Sequence, residues 1–287
     1  MVANVLKTGM LFFVLTALVL GGGYLIAGDR GLVPALIVAA VMNLIGYFFS
    51  DKIALASIGA EEVGPDHELY RIVEDLARRA KLPMPRVYVS PTAAPNAFAT
   101  GRSPDHAAVC ATEGLLQVLD EPEIAGVMAH ELAHVRHRDI LLQTVAATLA
   151  GAISVLGYMF MFGGMGSRRS DRDEGGGANP LFGLLFLILG PLAAGLIQAA
   201  ISRQREFAAD TKGAEIVGDP VPLARALEKL HYQSQEIPLP VNPSFNSMFI
   251  VEPLNAVEAV GNLFATHPPI EARLQNLIGR TSTGLFK

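Results

Sequence analysis

The sequence predicts a mainly α membrane protein with a small α+β domain, and three observations support this fold class. The chain is strongly apolar, with 51% hydrophobic residues and a mean hydropathy of +0.38. Four apolar segments each approach the ~20 residues that cross a bilayer, and they pair into two hairpins. Between and after the hairpins, the charge and periodicity are typical of a water-exposed domain with both helices and strands.

The first hairpin is predicted from Thr8–Ala27 and Leu32–Phe49, which are separated by four residues. A cleaved signal peptide is the alternative for the first segment, but a second span follows at once, so a retained anchor is expected. Asn43 in this hairpin suits an interhelical hydrogen bond. The second hairpin is predicted from Leu141–Met165 and Leu181–Ile201, joined by a polar, glycine-rich loop. Glycines and a proline within it leave open whether it crosses the bilayer fully or dips into it.

These hairpins divide the chain into four parts. They are the first hairpin (1–50), the first part of the water-exposed domain (51–140), the inserted second hairpin (141–201) and the second part of the domain (202–287). Within the domain, strands are expected at 87–89, 96–101 and 106–112, and helices at 69–76, 203–217, 221–233 and beyond 267. Cys110 lies in an expected strand, where a buried structural thiol is the favoured interpretation.

One motif carries chemistry, and it is His130-Glu131-Leu132-Ala133-His134. On a helix, the two histidines lie one turn apart on the same face, so both imidazoles can bind one Zn²⁺. Glu131, next to the first ligand, is then directed toward a water molecule at the metal and is the candidate general base. A helix whose histidines only form hydrogen bonds is the alternative.

A catalytic zinc needs three protein ligands and one open position, so a third ligand is expected elsewhere. Glu206 is the candidate, four residues after the predicted fourth span. Asp210 lies one turn later on the same helix face and can accept the free N–H of a ligating histidine, unless it is an ordinary surface charge. His137 is excluded, because seven residues of helix place it ~10 Å along the axis from His130.

Both halves of this predicted site lie at one face of the membrane. Lys and Arg residues near the span ends favour the cytoplasm for that face. They are Lys7, Lys52, Arg136, Arg138, Arg203 and Arg205 on the motif side, against Arg30, Arg168, Arg169 and Arg172 on the other.

Taken together, the spans and motifs resemble the HtpX-type bacterial membrane zinc metalloproteases, whose wider family includes the CAAX prenyl endopeptidase. The segments that carry the resemblance are the HExxH motif, Glu206-Phe207-Ala208-Ala209-Asp210, Leu82-Pro83-Met84-Pro85, Asn96-Ala97-Phe98-Ala99-Thr100-Gly101 and Thr266-His267-Pro268-Pro269. The resemblance implies a zincin-like (gluzincin) catalytic domain with one Zn²⁺ bound by His130, His134 and Glu206, and Glu131 as the catalytic residue.

The resemblance also implies a biological role. That role is stress-related quality control of misfolded or damaged membrane proteins at the bacterial inner (plasma) membrane, and self-cleavage is suggested as well. The expected partners are therefore polypeptide substrates and the lipid bilayer.

Two further features are expected to serve catalysis. The oxyanion needs a donor beyond the metal, and the candidates are His267 and Arg203, although His267 is equally suited to a helix cap or to packing. The segment Asn96, Ala97, Phe98 and Ala99 is a candidate edge strand on which an extended substrate adds as another strand, with an ordinary core strand as the alternative.

Other classes of function are disfavoured. The net charge is -5 and no basic run is interleaved with aromatics, which argues against nucleic acid as a partner. A zinc transporter would need ionisable residues inside the spans. An inactive zinc-binding scaffold and a specific processing peptidase remain the alternatives, and the sequence does not indicate an oligomeric state.

Overall fold

The computed structural model describes residues 2–146, 203–236, 250 and 268–285. In that part of the chain the helices are α1 (Val2–Ala27), α2 (Asp29–Ser57), α3 (Glu68–Ala80), α4 (Glu113–Val118), α5 (Glu121–His137), α6 (Arg203–Val217), α7 (Val221–Glu236) and α8 (Ile270–Ile278). The strands are β1 (Glu61–Val63), β2 (Arg86–Ser90), β3 (Ala97–Gly101) and β4 (Ala107–Thr112). Residues 140–146 are also helical. The rest of the predicted second hairpin, and His267, lie outside the described residues.

Helices α1 and α2 form the predicted first hairpin, with a shorter connection and a longer second arm than expected. Gly28, with φ of 58°, makes the turn alone, and Asp29 already opens α2, where an acidic side chain favours a helix N-terminus. Helix α2 then continues past Phe49 to Ser57. Across the hairpin, Asn43 Nδ2 donates to Thr16 Oγ1 at 3.0 Å, which confirms the interhelical role predicted for Asn43.

Both helices of this hairpin have the length and composition of membrane spans. The apolar windows lie in Leu6–Tyr24 and Asp29–Ser57, and only 18% and 17% of their residues are buried within the protein. A core helix of a soluble protein would be mostly buried, whereas here large apolar side chains such as Phe13 and Val33 are exposed. Lipid is the solvent in which such a surface is stable.

The far end of α2 is packed directly onto the sheet. Ala54, Leu55 and Ile58 share an apolar cluster with side chains of three strands, which include Tyr88, Phe98 and Cys110. Polar contacts support the same junction, because Arg86 Nη2 lies 2.8 Å from Asp51 Oδ2 and Ser90 Oγ donates to the Ile58 carbonyl at 2.6 Å. The second span therefore ends as part of the folded domain.

The sheet has four strands in the order β1-β2-β4-β3. Its central pair, β2 and β4, is parallel, and both outer pairs are antiparallel. Three of these strands were predicted within a residue or two of their observed bounds. The edge strand β1 was not, because it spans only three residues and two of them are glutamates.

Helices α3 and α5 pack against the other face of the sheet. They share the main core with α4, α6 and α7, and α7 packs against α5. Helix α3 contributes one apolar stripe, as its periodicity predicts. Helix α5 is different, since nearly every residue from Glu123 to Val135 is buried. Cys110 is fully buried on the opposite face, in the cluster between the sheet and the end of α2, and this burial raises the pKa of its thiol, which agrees with a structural role.

Two glycines allow α5 to lie close to its neighbours. A Cβ atom added at Gly213 of α6 would lie 2.9 Å from the backbone N of His130, and one added at Gly126 of α5 would lie 2.8 Å from the backbone N of Leu223 in α7. Both distances are shorter than Cβ contacts in proteins, and the obstructing atoms are backbone. Helix α5 is thus held at glycine contacts on two sides.

We expect Gly213→Ala to destabilise the protein by about 1–3 kcal/mol, because α6 must move away from α5 to admit the methyl group. Unfolding is followed by far-UV circular dichroism, since the chain contains no Trp. Gly64→Ala is the control, as no atom lies within 4 Å of its added Cβ. Equal stability of the Gly213→Ala and wild-type proteins would contradict the close packing.

Candidate metal centre

The two histidines of the motif lie in the middle of α5, whose start is strongly specified. Asp120 caps the helix by accepting from the Glu123 backbone N–H, and the Glu123 side chain accepts from the Asp120 backbone N–H, which completes a capping box. His130 and His134 then lie one turn apart, with their Nε2 atoms separated by 3.2 Å. Both are almost fully buried, at 1% and 4% exposure.

Helix α6 brings Glu206 against this pair. Its Oε2 lies 3.7 Å from His130 Nε2, and its Oε1 lies 3.6 Å from His134 Nε2. Within the described residues, these three side chains are the cluster whose geometry could hold a metal ion, with all ligand atoms inside 4.8 Å of one another. The sequence prediction named the same three residues, and the fold brings them together.

The donor atoms fit a divalent ion of tetrahedral geometry. Ligands about 2.0–2.1 Å from such an ion lie about 3.3–3.4 Å from one another. The two Nε2 atoms are 3.2 Å apart, His130 Nε2 lies 3.7 Å from Glu206 Oε2, and His134 Nε2 lies 3.6 Å from the other oxygen, Oε1. Two imidazole nitrogens and a carboxylate oxygen are also a donor set that transition-metal ions prefer. The residues present therefore fit the metal that the motif implies.

A buried ion pair supports His130 from behind. Asp210 Oδ1 lies 2.9 Å from His130 Nδ1, and Arg273 contacts both Asp210 oxygens, with Nη2 at 2.6 Å and Nε at 2.9 Å. Burial opposes ionisation of Asp210, but the Arg273 charge and the His130 contact outweigh it and hold the Asp210 pKa below its usual value. An ionised Asp210 accepts a hydrogen bond from Nδ1–H of His130, which leaves the lone pair of Nε2 for the metal.

Arg273 was missed by the sequence reasoning. It lies on α8 between Ile270 and Leu277, on the stripe that packs against the core, and its Nη1 also donates to the Ile250 carbonyl at 3.0 Å. The available signal was an arginine at an apolar position of an amphipathic helix. Such a residue needs a buried acid as partner, and that acid is Asp210.

His134 is also backed by a carboxylate, at a longer distance. Asp139 Oδ2 lies 3.5 Å from His134 Nδ1, and Asp139 Oδ1 lies 3.2 Å from Arg205 Nη1. Burial would lower the pKa of His134, but Glu206, followed by Asp139 and Glu131, raises it to about 9. Surrounding carboxylates thus favour a positive charge at this position, as a metal site requires.

The remaining predicted residues are placed as follows. Glu131 is buried, and its charge acts on both His134 and Arg273. His137 is exposed at the end of α5 and lies outside the ligand cluster, as the helix rise predicts. Arg203 is the exposed first residue of α6. The other oxyanion candidate, His267, lies outside the described residues.

The predicted substrate strand is at an edge of the sheet. Among the strands that the structure describes, β3 pairs with β4, and it is buried along its length. The Asn96 carbonyl accepts from the Thr112 backbone N–H, so the alternation of an antiparallel ladder directs the backbone groups of Ala97 and Ala99 away from β4. On that side, the Ala97 carbonyl accepts from the Ile250 backbone N–H at 3.0 Å.

Comparison with protein families matches residues 64–281 to peptidase family M48. The curated relatives named Protease HtpX homolog from Desulforapulum autotrophicum, Paraburkholderia phytofirmans and Syntrophotalea carbinolica are 50%, 49% and 52% identical to the chain. These alignments cover 98%, 99% and 97% of this chain and 91%, 99% and 99% of those proteins.

A solved structure gives the same result at the level of the fold. The crystal structure of S. mikatae Ste24p is similar with a TM-score of 0.52 at 20% sequence identity. The similarity covers 96% of this chain, which spans 66% of the length of that one. The mainly helical fold with a small sheet is therefore shared with that protein. These matches confirm the resemblance found in the sequence, and the chain belongs to peptidase family M48 as a membrane-bound metalloprotease.

Proposed function

We propose that this metalloprotease is a zinc-dependent endopeptidase that hydrolyses peptide bonds of misfolded or damaged membrane proteins. The observation that carries the proposal is the buried cluster of His130, His134 and Glu206, with Glu131 beside it, in a domain joined to a membrane hairpin. Zinc is favoured among divalent ions because it accepts two imidazoles and a carboxylate in tetrahedral geometry and leaves one position open for catalysis.

We assign the acid–base work to Glu131. When bound, zinc would supply Lewis acidity that activates water and polarises the scissile carbonyl. Glu131 takes one proton from the attacking water as the new C–O bond forms. It then delivers that proton to the amide nitrogen as the C–N bond breaks, so that the amine leaves neutral. Its place in the chain suits this role, since Glu131 is adjacent to one ligand without being one.

The oxyanion that develops on the carbonyl oxygen needs a hydrogen-bond donor. His267 and Arg203 remain our candidates for this role. We further propose that the substrate backbone pairs with the edge of β3 at Ala99. The Ala99 backbone groups point away from β4, while the Ala97 carbonyl is already bonded to Ile250. Pairing through the backbone requires little of the substrate sequence, which suits a quality-control enzyme.

We also propose the wider setting of the site. The ligand-bearing helices belong to a zincin-like domain that is interrupted by a second hairpin, which brings the membrane segments to four. The excess of Lys and Arg on the motif side supports a cytoplasmic face of the bacterial inner membrane.

Two alternatives predict different ligand sets or cavities. A structural zinc scaffold would use four protein ligands, often cysteines, whereas the described cluster offers three and the single cysteine is buried in the sheet. A specific processing peptidase would need a chamber that selects one substrate, and the observed exposed first hairpin does not enclose one.

We expect Glu131→Gln to retain zinc and to lose about 10²–10⁴-fold in peptide cleavage, because the base is removed but the ligands stay. Glu206→Gln and His134→Ala should lose both zinc and activity. Zinc content and cleavage are measured on the same detergent-solubilised samples. Glu121→Gln, in the first turn of the same helix, is the matched control. A fully active Glu131→Gln enzyme would refute the general-base role.

Arg273→Lys should bind zinc about 10–100-fold more weakly than the wild type, since lysine keeps the charge but cannot form the two-pronged contact with Asp210. The measurement is competition between the protein and a zinc chelator. Arg280→Lys, an exposed arginine two residues beyond α8, is the control. Unchanged zinc affinity in Arg273→Lys would show that Asp210 orients His130 without this support.

The substrate class is tested by competition between two proteins in one assay. A loosely folded membrane protein should be cleaved faster than an equally unfolded soluble protein, because the active site is tied to the bilayer. Glu131→Gln enzyme gives the background. Equal rates would contradict a preference for membrane proteins, and cleavage of one defined site in one protein would favour a processing peptidase.

A further inference from the structure

The carboxylate of Asp139 lies between a metal-site histidine and an arginine on the other ligand helix. Its Oδ2 lies 3.5 Å from His134 Nδ1 and its Oδ1 lies 3.2 Å from Arg205 Nη1. Asp139 is only 1% exposed. Burying a carboxylate is costly unless charged or polar partners surround it, so this position has a role that favours a charge over an apolar side chain.

The backbone holds Asp139 in place. Helix α5 ends at His137, and the next residue, Arg138, adopts a left-handed conformation with φ of 58°. The chain then turns back, so that the Asp139 backbone N–H donates to the His134 carbonyl at 3.0 Å. The next helix starts immediately, with the Asp139 carbonyl accepting from the Gln143 backbone N–H at 3.1 Å. These backbone hydrogen bonds place the Asp139 carboxylate beside the imidazole ring of His134, in the last turn of α5.

The same pattern of groups surrounds both histidines. His130 contacts Asp210, which contacts Arg273, and His134 contacts Asp139, which contacts Arg205. In each case a carboxylate faces Nδ1 while Nε2 faces the ligand cluster. A carboxylate at Nδ1 selects the tautomer that leaves the Nε2 lone pair free for a metal. The contacts from His134 through Asp139 to Arg205 are longer than those from His130 through Asp210 to Arg273. Arg205 directly precedes the candidate ligand Glu206 in the sequence.

We infer that Asp139 and Arg205 are positioning residues for the metal site, with Asp139 orienting His134 and Arg205 acting through Asp139. This inference rests on the proposed function of the His130, His134 and Glu206 cluster. Arg205 and Asp139 also lie at the two ends of the segment 140–202, close to where the chain leaves one ligand helix and enters the other. The contact between Asp139 and Arg205 therefore links the end of α5 to the start of α6, next to His134 and Glu206.

The test uses the full-length protein in detergent and Zn²⁺ alone, titrated against a chelator. Asp139→Ala should bind Zn²⁺ about 10–100-fold more weakly. Asp139→Asn keeps the shape without the charge, and it should also lose about 10-fold, so it carries the test if the alanine variant fails to fold. Arg205→Gln should weaken binding to a smaller degree, and Arg205→Lys should restore part of the loss.

A double-mutant cycle separates positioning from general destabilisation. Arg205→Gln should have no further effect on Zn²⁺ affinity in the Asp139→Ala background, because Arg205 acts only through Asp139. In cleavage assays, Arg205→Gln should lower kcat and leave KM unchanged, since the inferred role of Arg205 acts on the metal site through Asp139. Lys212→Gln removes a positive charge from the same helix and should match the wild type.

Two results would overturn the inference, and neither depends on the proposed function failing. They are unchanged Zn²⁺ affinity in both Asp139 variants, and an equal effect of Arg205→Gln with and without Asp139. A wild-type protein that neither binds Zn²⁺ nor cleaves protein would instead refute the proposed function itself.

Discussion

The burial of charge between α5 and α6 is the constraint on which the rest of the structure depends. His130, Glu206, Asp210 and Arg273 are each at most 2% exposed. Isolated charges in such a place would be very unfavourable, and only close, mutually satisfying contacts make the arrangement stable. The close approach of the helices at Gly213, the left-handed end of α5 and the placement of α8 are the features that bring those contacts within range.

The charges are ordered so that each supports the next. Arg273 keeps Asp210 ionised, and Asp210 accepts a hydrogen bond from Nδ1–H of His130. The lone pair of the other nitrogen, Nε2, is then left for a metal. The carboxylates around His134, with Glu206 first among them, outweigh its burial and raise its pKa to about 9, which favours a positive charge at this position. Metal binding to this centre therefore displaces protons.

The membrane hairpin and the metal centre are linked through the sheet. Helix α2 ends in an apolar cluster with Tyr88 and Phe98, and Phe98 belongs to β3, the strand that lies between α2 and the ligand helix α5. Along β3 the side chains alternate, with Phe98 facing α2 and Ala97 and Ala99 facing the core that contains α5. The short strand β3 thus separates the membrane hairpin from α5, the helix that carries His130 and His134. It sets the distance between them.

Much of the fold and the site could be read from local patterns. Apolar length predicted the first hairpin, and short apolar runs bounded by Pro and Gly predicted three of the four strands. Helical spacing placed His130 and His134 together and separated them from His137. These features depend on residues near one another in the chain, where geometry is nearly independent of the rest of the protein. Glu206 could also be predicted from the sequence, because it lies one helical turn before Asp210 and the segment that contains both residues resembles a motif of a known family.

Other features were decided only when distant segments packed together. The partners of Arg273 and Asp139 are set by tertiary packing, which places α8 against Asp210 and brings Arg205 of α6 to Asp139. The role of a charged side chain depends on whether it is buried and on which charged or polar groups contact it. Burial is a property of the whole fold. Local patterns therefore identified the candidate metal ligands, while tertiary packing decided which charged residues lie against them.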